Sequence, residues 1–309
     1  MQSPRRAYGD TLVELGKEDK RIVVLEADLG KSTMSTLFQQ AYPERYFEMG
    51  IAEANMTSFA AGLSLTGKVA FTNSFAVFSG GRSYDQIRQS ICTANLNVKI
   101  NGSSSGISDF GDGATHQAVE DIAIMRAIPN MTVLVPADAG ETKKAVRAAV
   151  RHEGPVYIRI SRSELPDIIP EDREFVIGKP CQLKEGSDIA VFACGIMTTK
   201  AMDAARILEK EGISVRVVNV SSLKPLDEEA VKELSRGVKG IITAEEHSVI
   251  GGLTAAVSYI LRSEGLPFEP VAVMDVFGQS GKSHEELLEK YGLTEKEIVR
   301  AAKKILRNV

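Results

Sequence analysis

The sequence predicts an α/β chain of two domains, each a mostly parallel sheet flanked by helices. Three observations carry that expectation. Short runs rich in Val and Ile alternate with helix-period segments along most of the 309 residues, the rhythm of a parallel sheet covered on both faces. A stretch holding Pro166, Pro170, Pro180 and clustered charges interrupts the rhythm once. A chain of 309 residues with 43% apolar and 25% charged side chains also suits two ordinary globular domains.

In the first half, the runs Arg21–Ala27, Lys68–Thr72, Asn97–Ile100, Met131–Pro136 and Pro155–Ile160 are expected as short buried strands. Helical patterns occupy Arg5–Leu15, Ala52–Leu65, Ser83–Ala94, Gln117–Ala127 and Ala139–Arg151. Alternation resumes with strands at Asp188–Ala193, Ile213–Val220, Lys239–Ala244 and Pro270–Val276. Helices are expected at Thr198–Glu211, Asp227–Leu234, Gly252–Glu264 and Thr294–Leu306. The resulting organisation is one domain over 1–165, a linker over 166–186 and a second domain over 187–309.

Lys and Arg number 37 against 41 Asp and Glu, a net charge of −4, which disfavours a dedicated nucleic-acid surface. No run approaches the length of a membrane span, and Arg5 and Arg6 precede no apolar signal region. Cys92, Cys181 and Cys194 are far apart and form no CxxC pattern. That usage fits a reducing cytoplasm.

Chemistry is expected in Gly-containing polar loops beside the strands, where α/β sheets place ligands. Glu53 follows Glu48-Met49-Gly50-Ile51-Ala52 and has apolar neighbours on both sides. A carboxylate in apolar surroundings exchanges a proton nearer neutrality; alternatively, Glu53 simply favours the first turn of a helix. Phe75 and Phe78, three apart, either face one flat ligand or pack in the core. His116 lies in a Gly-rich loop, a setting that suits acid–base or substrate-binding work. The triplet Gly111-Asp112-Gly113 lacks the later Asn of a Mg-diphosphate signature, because after Asn130 the next Asn is Asn219. No metal site is assigned there. Arg5, Arg6 and Arg162 are either phosphate ligands or surface and ion-pair residues. No G-x-S-x-G elbow supports a hydrolase.

Taken together and in order, these loops resemble the transketolase family. The resemblance runs through RRAYGDTLVELG, RIVVLEADLGKST, RYFEMGIAEANM, FTNSFAVFSGGRSYDQIR, GDGATHQAVEDIAIMRAIPNMTVLVPAD and YIRISRSE. It continues through AEEHSVIGGLTAAV and FGQSGKSHEELLEKYGLT. It covers the pyrimidine-binding and C-terminal domains of a full-length transketolase and lacks the first domain. The chain therefore looks like the C-terminal subunit of a split transketolase.

The resemblance implies roles. Glu53 matches the glutamate that hydrogen-bonds the aminopyrimidine of thiamine diphosphate and so promotes its activation. Phe75 and Phe78 match aromatic residues packed on that ring, and Asp28 and Ile51 fall beside the cofactor. Arg5, Ser32, Ser104 and Arg162 fall where sugar phosphate is bound. Asp112 and His116 match contacts to sugar hydroxyls, with His116 assisting proton transfer. An N-terminal transketolase subunit is implied, holding diphosphate and Mg2+ or another divalent ion, with self-association into a dimer and thence a heterotetramer.

Three positions depart from the family pattern: Ser104 stands where many members have His, Gly111 where GEDG has an acid, and the loop Phe78–Arg82 is one residue longer than in some relatives. Alternatives are a beta subunit of a 2-oxoacid dehydrogenase, a split transketolase for a sulfonated or branched sugar, and a non-catalytic subunit. The C-terminal domain is expected to supply packing and dimer contacts. Glu245, Glu246 and His247 are read there as solvated or structural rather than metal-binding.

Overall fold

The structure is a computed structural model and describes residues 1–307. Asn308 and Val309, the end of the expected second domain, lie outside the described residues. The described strands in chain order are β1 Ile22–Glu26, β2 Tyr46–Glu48, β3 Val69–Phe75, β4 Val98–Ser103, β5 Thr132–Leu134, β6 Val156–Arg159, β7 Cys181–Lys184, β8 Ile189–Ala193, β9 Val215–Asn219, β10 Ser222–Lys224, β11 Gly240–Ser248 and β12 Phe268–Val273. They form a seven-stranded sheet, β10-β5-β6-β4-β3-β1-β2, and a five-stranded sheet, β12-β11-β8-β9-β7. Pairing is parallel except at β10 with β5 and at β7 with β9. The fold class is the one the alternating pattern predicts.

β1, β3, β4, β6 and β8 are buried along their whole length, which explains the apolar runs of β1 and β8. Several of the polar exceptions are partnered. Tyr8 donates to Asn73 Oδ1 at 2.6 Å, and Asn73 and Asn101, paired in register, are linked at 3.1 Å. The helix Pro4–Glu18 starts where Ser3 accepts from the Arg6 amide and proline occupies the first turn. That start sets Arg5 at one end of the sheet. Asp138 likewise caps Ala139–Arg151 by accepting from the Glu141 amide at 2.7 Å.

Three expectations are corrected. Cys181–Lys184, inside the stretch read as a linker, is an antiparallel edge strand, and Ser222–Lys224 crosses to the edge of the first sheet. Such three- and four-residue edges carry too few Val and Ile to stand out. The helix expected from Gln117 begins at Asp121, because the Ala118 amide is drawn to Gly106 O at 3.0 Å. The helix expected over Ser83–Ala94 is α-helical only at Tyr84–Gln86 and continues as π-helix over Ile87–Cys92.

The two sheets share one continuous apolar core, in which Ile122, Met125 and Val135 of the first half join Phe192, Cys194 and Val220 of the second. Cys92, Cys181 and Cys194 are free thiols. Among the described residues, no helix is long and apolar enough to cross a membrane.

Candidate active site

The loops singled out from the sequence converge at the carboxyl ends of β1, β2, β3, β4 and β6, the edge where parallel sheets bind ligands. Glu53 opens the helix Glu53–Leu65 and is buried, 3% exposed. Its carboxylate accepts from Ser74 Oγ at 3.3 Å and from Arg82 Nη1 at 3.0 and 3.3 Å. Apolar surroundings are therefore corrected: burial is as expected, but an arginine faces the acid. Arg82 follows one helical turn after Phe78, and its guanidinium lies 3.9 Å from the Phe78 ring centroid.

Phe75 and Phe78 stack with centroids 6.0 Å apart and planes 14° from parallel. His116 presents its ring edge-on to both, at 6.3 and 5.2 Å; its Nδ1 pairs with the Thr115 hydroxyl at 3.0 Å. A buried acid, two stacked rings and an imidazole thus form one cluster, a donor set that fits a flat heteroaromatic ring bearing hydrogen-bonding nitrogens.

A second cluster is built on charge. Arg162, just beyond β6, meets buried Asp109 at 2.6 Å and exposed Asp112 at 3.9 Å. Burial pushes the Asp109 carboxyl above the usual aspartate range, with Arg162 pulling the other way. Arg5 donates to Ser32 O at 2.8 Å, while its buried Nε has no partner. Burial, then the nearby Arg162 charge, holds Arg5 below the ordinary arginine value. Two guanidiniums close enough to repel are a ready site for a bidentate anion.

Ser104 is fully buried in a left-handed backbone conformation, φ +50°, with its hydroxyl unpartnered; the hydroxyl of Ser103 and Asp109 Oδ2 are orphaned likewise. Strain and unpartnered polar atoms on one loop make it a candidate for contact with a ligand.

The fold thus gathers Glu53, Phe75, Phe78 and His116 in one cluster and Arg5, Asp112 and Arg162 in the other, with Ser32 joining through its carbonyl. Asp28 and Ile51 stand apart. Asp28 is exposed at φ +60° with its amide on Glu48 at 2.9 Å, and Ile51 is 72% exposed. Arg82 and Asp109 were missed by the sequence reading. Asp109, the one acid between Ser103 and Phe110, was the available signal.

Glu245, Glu246 and His247 diverge. Glu245 accepts from the Leu253 and Thr254 amides at 2.7 and 2.8 Å, capping a helix. His247 bonds Ser248 O at 2.8 Å, and Glu246 reaches into the first domain. Among the described residues, no group of three or more His, Cys, Asp or Glu side chains is placed to hold a metal ion.

The fold and its site define a class. The family model described as the transketolase pyrimidine binding domain matches residues 1–167, and that of the transketolase C-terminal domain matches 178–298. The chain belongs to the transketolase family, a thiamine-diphosphate-dependent family of transferases. Its relatives include divided enzymes. The chain is 43% identical to a putative transketolase C-terminal section of Methanocaldococcus jannaschii, over 99% of this chain and 96% of that one. It is 44% identical to a 6-deoxy-6-sulfo-D-fructose transketolase subunit of a Clostridium species, over 97% and 94%. A solved structure described as a split gene transketolase, inactive beta4 tetramer, superposes with TM-score 0.89 at 50% identity, covering 99% of this chain and 98% of that one.

Proposed function

We propose that this chain, as the C-terminal subunit, acts only with an N-terminal subunit, moving a two-carbon ketol unit from a ketose phosphate to an aldose phosphate. The single observation that carries the reading is Glu53, buried beside the stacked Phe75 and Phe78 with His116 at their edge. Overall, the C2–C3 bond of the donor ketose breaks and a bond forms to the aldehyde carbon of the acceptor. The proton lost from the donor C3 hydroxyl is matched by one gained at the new hydroxyl. Thiamine diphosphate, when bound, supplies the nucleophilic carbon that carries the two-carbon unit.

This chain's residues do the rest. Glu53 holds a hydrogen bond to the aminopyrimidine, and Phe75 and Phe78 pack on its face. Asp28 and Ile51, exposed here, line the cofactor where the partner closes over it. His116 and Asp112 engage sugar hydroxyls, and His116 assists the proton transfers. Arg5 and Arg162, with Ser32 and Ser104, bind phosphate. The partner holds the diphosphate and Mg2+ or another divalent ion. Two such pairs form a heterotetramer in the cytoplasm.

With common pentose and hexose phosphates the reaction is that of the pentose phosphate pathway. A second reading, a sulfonated or branched sugar, is favoured by Ser104 at a family histidine position and by the sulfofructose relative. Native mass spectrometry of the chain purified with its partner tests the assignment. A complex of two chain types carrying thiamine diphosphate supports it; a cofactor-free homo-oligomer with no second chain in its own cells contradicts it. A donor panel of common and sulfonated ketose phosphates separates the two readings.

A further inference from the structure

Neither cluster of the active site contains a residue of the C-terminal domain, yet that domain buries a carboxylate and an imidazole directly behind the sugar-phosphate loops. Glu246, on β11, is 3% exposed and His284, the first residue of the helix His284–Lys290, is 2% exposed. Glu246 Oε1 accepts from the Ile107 amide at 2.9 Å and pairs with His284 Nε2 at 2.7 Å. His284 Nδ1 lies 2.7 Å from Ser163 Oγ. With Nε2–H donating to the carboxylate, a neutral ring leaves Nδ1 as acceptor, so the Ser163 hydroxyl donates. The two side chains make one continuous bridge from Ile107 to Ser163.

The ends of that bridge matter. Ile107 is two residues before Asp109, and Ser163 is the residue after Arg162. The two loops also touch directly, where the Arg162 amide donates to Ser108 Oγ at 3.1 Å and its guanidinium reaches Asp109 at 2.6 Å. Gly106, at φ +63°, sits so close to the Glu246 carboxylate that a Cβ there would overlap it. The backbone of Glu246 is pinned as well, by Arg159 Nη2 at 2.9 Å. The segment before His284 extends the contact. The Gly281 amide donates to Phe110 O at 2.8 Å, and Gln279 O accepts from Gln117 at 2.9 Å, flanking Asp112 and His116. Apolar packing already joins the halves, around Ile122, Val135 and Cys194 and again where Ile107, Val119 and Leu165 meet Val191 and Leu287. Holding the domains together needs no buried carboxylate, which is costly to desolvate unless its hydrogen bonds are used.

We propose that Glu246 and His284 are positioning residues for the sugar-phosphate pocket, fixing the Ile107 and Ser163 loops at the separation that sets Asp109 against Arg162. The proposal rests on the transketolase reading for the identity of the ligand, and the bracing itself stands on the geometry. The C-terminal domain thereby acquires a part in substrate binding through residues that never touch substrate.

The test has two arms. In hydrogen–deuterium exchange on the full chain, peptides spanning 104–117 and 160–165 exchange faster in His284→Ala than in wild type, with the β1–β3 region unchanged. In the two-chain enzyme, His284→Ala and Glu246→Gln raise KM for the donor ketose phosphate on the order of tenfold, while kcat changes less than about twofold and thiamine diphosphate affinity is kept. His284→Gln, which retains a donor and an acceptor, recovers part of the KM. Ser163→Ala, which removes one hydroxyl and leaves the buried pair intact, shows a smaller shift in the same direction and covers the case in which His284→Ala does not fold. Unchanged exchange and unchanged KM overturn the proposal, as does a parallel fall of kcat, cofactor affinity and thermal stability, the signature of a merely structural role. If the wild-type pair transfers no two-carbon unit, the transketolase reading fails; faster exchange in those two peptides then still supports the bracing.

Discussion

Arg82 lies over Phe78 and donates to Glu53, its guanidinium 3.9 Å from the ring centroid and its Nη1 3.0 Å from the carboxylate. A planar cation therefore rests on the acid and aromatic face to which the proposed function assigns the aminopyrimidine. The Arg82 side chain is half exposed, 49%, so the contact is weakly held and exchangeable.

Removing that cation should not cost cofactor binding. A half-exposed ion pair with a cation–π contact is worth about 1–2 kcal/mol. Arg82→Ala in the assembled enzyme is expected to bind thiamine diphosphate as tightly as wild type or up to about tenfold tighter, by isothermal titration. Weaker binding would show that Arg82 holds the cofactor rather than yielding to it.

Gly106 is one position where the two domains meet closely. Gly106→Ala places a Cβ against Glu246 at a positive φ, and the expected loss is more than about 2 kcal/mol in urea unfolding. A change within about 0.5 kcal/mol would contradict the tight contact.

Glu26 gives a pH dependence with a defined sign. It is fully buried and accepts from Ser35 and Thr33 at 2.5 and 2.6 Å, and burial pushes its carboxyl up to about 7. Between its ordinary value of 4.5 and about 7, the unfolded chain is ionised while the folded chain keeps the proton. Stability from this group is full below the lower value and lost as pH rises through the upper one. Glu26→Gln should therefore gain on wild type from pH 5 to pH 8, by roughly 3 kcal/mol at most. Thermal unfolding across that range checks it; a difference independent of pH would refute the burial argument.

Ser104 combines a left-handed backbone with an unpartnered buried hydroxyl. Ser104→Gly is expected to be neutral or to stabilise by up to about 1 kcal/mol, while raising KM for phosphorylated sugars. Lost stability with unchanged KM would assign Ser104 to the fold instead of the pocket.

Legibility followed the range of the interactions. β1, β3, β4 and β8 announce themselves because both faces are buried, and local Val and Ile content records that directly. β2, β7 and β10 are short edges, three or four residues long, specified by their neighbours rather than by their own composition. In the site, Phe75, Phe78 and His116 were visible as residue types in loops. The pairing of Glu53 with Arg82 spans 29 residues, Asp109 with Arg162 53, and Ser163 with His284 121. No local pattern encodes such partners. The apolar neighbours of Glu53 in sequence were therefore a poor guide to its neighbours in space.

The most direct test of the central claim is Glu53→Gln in the two-chain enzyme, an isosteric change that removes the carboxyl's charge and acid–base capacity. The account predicts an intact complex that still binds thiamine diphosphate but transfers the two-carbon unit about 100-fold or more slowly. Transfer at close to the wild-type rate would contradict it.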